Sequence, residues 1–95
     1  MQIVNGSKEN IVVDLVDATG AVTDLSGASP VFYVEKNDGT VMVNGVAATA
    51  VGMRVVCLFN TTTGGPWTDG LYKLYVGLTI GAESPKIYAG DIYLI

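Results

Sequence analysis

Three observations predict an all-β fold for this chain, a single antiparallel sandwich of two sheets. Its apolar residues alternate at a period of two or run in short blocks, the pattern of strands with one or both faces buried. Turn residues (Gly, Asn, Asp, Pro) punctuate those blocks at short intervals, as sandwiches and barrels require. No segment carries a helical stripe with caps. A two-sheet sandwich of six or seven strands is the expectation, and a small closed barrel is the alternative.

The first strand is read from Asn10 to Val16, with Ile11, Val13 and Leu15 on one face and Val12 and Val16 on the other. Residues 17–29 form a loop. Pro30 then opens Val31–Lys36, at a strand's first position, where a missing N–H is tolerated. Asn37-Asp38-Gly39 is a hairpin signal, because its turn needs positive φ that Gly and Asn/Asp adopt at low cost. Thr40–Val43 is the return strand, with Asn44-Gly45 as a second candidate turn. Val46–Val51 reads either as an edge strand or as an extended linker. Met53–Asn60 follows, apolar on both faces. Thr61–Gly70 is the long loop, and Leu71–Ile80 is the clearest strand, with Tyr72, Leu74, Val76, Leu78 and Ile80 sharing a face. Gly81–Ser84 turns the chain into a last strand, Lys86–Leu94. Residues 1–95 make one domain, with no repeat and no low-complexity tail.

Composition narrows the function. Hydrophobic residues are 49% of the chain and charged residues 15%, against about 25% charged in ordinary globular domains. A chain of 95 residues has too little interior to hide that much apolar surface. Contiguous exposed apolar patches are therefore expected, and these mark protein–protein contact. The net charge is −4, and the five cations Lys8, Lys36, Arg54, Lys73 and Lys86 stand apart from one another. Nucleic-acid binding needs clustered cations that displace counterions, so no nucleic-acid partner is expected. No run approaches the roughly 20 apolar residues of a membrane-spanning helix, and no secretory signal opens the chain. A soluble protein made in a cytoplasm is the expectation.

Catalysis finds no foothold. Histidine is absent, which removes the commonest general base and metal ligand. Ser7-Lys8 and Ser84-Pro85-Lys86 place serine near lysine, but in stretches that read as solvated turns. Cys57 is the single cysteine; it excludes an internal disulfide and reads as a small buried hydrophobe. Asp14, Asp17, Asp24 and Asp38 are the acidic set to test for calcium. They lack the spacing of a calcium loop; Asx-turn bonds account for Asp17 and Asp24, and Asp38 belongs to the hairpin turn. No catalytic residue, metal or cofactor is expected.

Trp67 stands on a Gly/Thr-rich loop, where it either plugs the end of the sandwich or anchors a partner, with sugar stacking as a further role. Among five strand tyrosines, Tyr72 beside Gly70 reads as a corner tyrosine capping the core. The interface candidates are Trp67, Val12, Val16, Val31, Tyr33 and Val56, residues of the loop and of doubly apolar strands.

Four segments carry a family resemblance: Asp17-Ala-Thr-Gly20 with Asp24-Leu-Ser-Gly-Ala28, the strand into Asn37-Asp-Gly-Thr40, Gly52-Met-Arg-Val-Val56, and Asp69-Gly-Leu-Tyr72. Together they resemble the N-terminal immunoglobulin-like sandwich of tailed-phage baseplate upper proteins and similar domains of phage tails and capsids. The resemblance implies a non-enzymatic virion structural protein that assembles with other virion proteins, in the capsid or in the tail and baseplate. Sparse charge and the outward-facing Val12, Val16, Val31 and Val56 add the expectation of a homo-oligomer or a tight capsid-bound state. Its location would be the virion. Because the chain opens at Met1 and ends just after its last strand, a self-standing decoration or auxiliary protein is expected rather than a piece of a longer one. The alternative is a carbohydrate-binding or adhesin-type module, with Trp67 and nearby tyrosines as a sugar platform.

Overall fold

The computed structural model describes residues 1–17, 19, 20, 22 and 24–95. It is all-β, with one 3-10 turn among the described residues, at Ser26–Ala28. The strands are β1 (Gln2–Ile3), β2 (Lys8–Asp14), β3 (Val31–Lys36), β4 (Val41–Ala47), β5 (Thr49–Val51), β6 (Arg54–Asn60), β7 (Gly70–Gly77) and β8 (Lys86–Leu94). A five-stranded sheet runs β1-β8-β7-β3-β4 and a three-stranded sheet runs β2-β6-β5. The sheets remain separate, in a sandwich-like arrangement and not a closed barrel.

The expected six or seven strands omit β1, which is too short to show a period. It also corrects the expectation of a purely antiparallel fold: Gln2 pairs with Tyr93 and Ile3 with Leu94 in parallel. From β1 the chain crosses to the other sheet, and buried Thr61 holds the crossing by accepting from the N–H groups of Gly6 (2.7 Å) and Ser7 (3.1 Å) through its Oγ1.

Alternation puts Ile11, Val13, Val55, Cys57 and Phe59 on the inner face of the small sheet. They meet Phe32, Val34, Tyr72, Leu74, Val76, Ile92 and Leu94 of the large one, all buried. Each such side chain removed from water contributes about 1.5–3 kcal/mol, so this layer is the main source of stability. Leu25, Ala28 and Leu78 close one end of it.

The Asp38 hairpin is as expected. Gly39 sits at φ +91, the Lys36 N–H donates to the Thr40 carbonyl (2.8 Å) and the Asp38 carboxylate accepts from the Thr40 N–H (2.9 Å). Asn44-Gly45 is not a turn but lies inside β4. Phe32 faces Val46 and Tyr33 faces Asn44, so Gly45, at φ +67, is the extra residue of a bulge, a role that also favours positive-φ glycine. Val46–Val51 divides at Ala48: β4 ends in the large sheet and β5 begins in the small one. β7 stops at Gly77, which leaves Ile80 outside the strand and exposed.

Candidate functional site

The six interface candidates separate into four places. Val12 and Val56 face each other across β2 and β6 on the outer side of the small sheet. Leu58 lies one rung along, opposite Asn10. Val12 is 49% exposed and Leu58 55%, so the three form an apolar ridge on a surface where alternation calls for polar residues. Leu58 shares the face of Val56 by alternation but is missed by the sequence reading, and only the register with β2 sets it beside Val12.

Val31 and Tyr33 lie on the outer side of the large sheet, both half-buried. Tyr33 faces Tyr75, and Tyr75 faces Tyr88, which makes a row of tyrosines across β3, β7 and β8. The row depends on a bulge: Leu74 pairs with Gly90 but Tyr75 with Tyr88, and the skipped Ala89 re-aims the side chains of β8. Lys86 Nζ lies 4.5 Å from the Tyr33 ring centre and 4.7 Å from that of Tyr75, a cation held against two π faces. It also pairs with Glu35 at 2.7 Å, and this bond holds the ammonium above its usual pKa. The Tyr88 hydroxyl donates to the Asp91 carboxylate, which raises the phenol's pKa.

Val16 stands beyond β2, 90% exposed, beside an apolar depression of about 280 Å³ that Met53, Leu78 and Ile80 help to line. Trp67 sits at the end of the sandwich. Its ring meets Phe59 edge-on at 5.2 Å and Tyr72 at 5.6 Å, and its Nε1 donates to the Thr63 carbonyl at 2.9 Å. Asn5 donates to the Trp67 carbonyl at 2.9 Å. Trp67 is thus half-buried as a plug over Phe59 and Tyr72. Its ring partners are Phe59 and Tyr72, not Tyr33, Tyr75 or Tyr88 of the outer face.

The carboxylates are spread over β2 and the loops. Asp14 pairs with Arg54 at 2.9 Å. Asp17 accepts from the N–H groups of Thr19 and Val22. Asp24 accepts from Ser26 N–H and Asp38 from Thr40 N–H, and these backbone donors hold both acids below the usual carboxylate pKa. An open cleft of about 510 Å³ brings Lys36, Asp38 and Asp69 near Tyr72. There Asp38 is engaged with its own turn, and Asp69 accepts from Asn5 at 3.1 Å. Burial pushes the Cys57 thiol up to about 11, far from the thiolate a nucleophile needs.

Comparison of the chain with family models, with curated proteins and with solved structures returned no match.

Proposed function

We propose that this chain is a structural subunit of a tailed-phage virion that works by protein–protein assembly and not by catalysis. The observation that carries this reading is the Val12–Val56–Leu58 ridge. The inner face of the same small sheet is already committed to the core, so the ridge is surplus apolar surface turned to solvent, of the kind that marks contact sites. The four segments that resemble phage sandwich domains supply the virion context. The bond from Tyr72 to the backbone upstream of β7 supports an immunoglobulin-like layout, since corner tyrosines recur in such sandwiches. Capsid decoration and a tail or baseplate position both fit. Immunogold labelling of particles released by cells that carry the gene tests the reading. Label on capsids or tails is expected, and particles free of the protein would overturn it.

The tyrosine row favours a second reading, a glycan-binding face on the large sheet. A glycan array decides between them: specific binding that disappears in Tyr75→Ala, with the fold retained, would replace the assembly reading.

A further inference from the structure

Of the four sheet edges, three are poor templates for pairing. β1 has two residues, β5 has three, and β4 is interrupted by register shifts on both sides of Val34 and Tyr33. β2 is different. It runs seven residues in unbroken register with β6, and it has no second strand partner among the described residues. Long, regular, open edges invite another strand unless something blunts them.

Two bonds that flank the β2–β6 ladder establish which backbone groups face the open side. The Thr61 N–H donates to Ser7 and the Leu15 N–H to Met53, and both pairs continue the register of Lys8 with Asn60 through Asp14 with Arg54. Hydrogen-bonded pairs alternate along an antiparallel ladder, so Glu9, Ile11 and Val13 point their N–H and C=O groups at β6. Lys8, Asn10, Val12 and Asp14 point theirs outward.

We propose that β2 is a dimerisation edge, on which two copies of the chain join β2 to β2 antiparallel about a twofold axis at Ile11. In this register Lys8 stands opposite Asp14 of the second copy, and Asn10 opposite its Val12. Only outward-facing residues then make the new hydrogen-bonded pairs, as the alternation demands. Lys8 and Asp14 are both exposed and on the same side of the strand, so each junction places opposite charges together at cross-strand distance. The contact is isologous and closes at two copies. It merges two three-stranded sheets into one of six and joins their Val12–Val56–Leu58 ridges into a single wider apolar face. The inference rests on the assembly reading above and supplies the form in which the subunit would meet its partner.

Sedimentation equilibrium of the full chain, from micromolar to near-millimolar concentration, tests it. A dimer is expected, and a monomer throughout would overturn the proposal. In Val12→Pro the lost N–H is one that β6 does not use, and proline is tolerated at such edge positions. This variant should melt as a folded monomer, and a folded variant that still dimerises overturns the proposed edge. Lys8→Glu and Asp14→Lys provide a second test on exposed side chains. Each alone opposes like charges at both junctions and should be monomeric, while an equimolar mixture should recover the dimer. Failure of the mixture to associate overturns the register. Phage particles that bind a strictly monomeric chain would remove the dimer and leave the assembly reading standing; a dimer that binds no particle would do the reverse.

Discussion

The Tyr72 hydroxyl donates to the carbonyl oxygen of Thr68 at 2.7 Å while its ring is buried between the sheets. The Thr68 N–H in turn donates a longer bond to the Tyr72 hydroxyl oxygen, 3.2 Å, so one side chain ties the end of the long loop to the core. Tyr72→Phe should cost about 1 kcal/mol, the net worth of a hydrogen bond. Tyr72→Ala should cost about 3–5 kcal/mol through the cavity it leaves. Denaturant midpoints measure both, and near-equal losses would show that the hydroxyl matters as much as the ring.

Gly77 is kept small by Tyr33. A Cβ there would lie 2.9 Å from the tyrosine ring and 3.0 Å from the Val31 side chain, closer than packed atoms allow. Gly77→Ala should destabilise by about 1–3 kcal/mol through overpacking. In a Tyr33→Ala background the same substitution should cost clearly less, because the two sites are in contact and couple. Additive effects in that double-mutant cycle would contradict the close approach.

Cys57 should behave as a reporter of unfolding. It is fully buried and its thiol is raised from 9.0 to about 11. A thiol reagent at neutral pH should leave the native protein unlabelled and react fully in denaturant. Rapid labelling of the native state would mean that β6 opens locally.

The melting temperature should be level between about pH 5 and 9 and fall on both sides. Asp24 and Asp38 are lowered from 3.8, so their stabilisation is present above that value and is lost as pH falls through the lowered pKa values. Cys57, Tyr88 and Lys86 are raised, from 9.0, 10.0 and 10.5. Their contribution is complete below those values and is lost as pH rises through the raised ones. Exposure of all but the cysteine keeps the individual slopes shallow. A stability maximum at pH 4 would contradict these assignments.

Millimolar calcium should leave the melting temperature unchanged, because only a ligand that prefers the folded state raises it. Asp14 is engaged by Arg54, and Asp17, Asp24 and Asp38 by nearby backbone N–H groups. A rise of several degrees would show that these carboxylates can be drawn onto a cation.

Much of this arrangement is legible in the sequence because it depends on local pattern. Ile11 and Val13 alternate inward, Asp38-Gly39 makes its hairpin, and Tyr72 lies where a Gly-x-Tyr step places it. What is not legible depends on pairing across the chain. Gly45 gives the same positive-φ signal in a bulge as in a turn, and the register with β3 alone decides which. The row of Tyr33, Tyr75 and Tyr88 comes from three distant strands and requires the bulge at Ala89. Trp67 lies in a loop with no period, so nothing in the neighbouring residues indicates that its ring turns toward Phe59. Val12 and Val56 can be read as outward-facing, but their direct opposition cannot.

The parallel pairing of β1 with β8 has a mechanical consequence. Tyr93 N–H donates to Met1, Ile95 N–H to Ile3, and Asn5 N–H to Ile95, so the two ends of the chain run side by side in the same direction. A pull on the two termini therefore slides one strand along the other and loads these bonds together, in shear, where a hairpin pulled from its open end would unzip one bond at a time. A domain tethered at both ends would resist tension with its first and last residues before any other part of the fold felt the force.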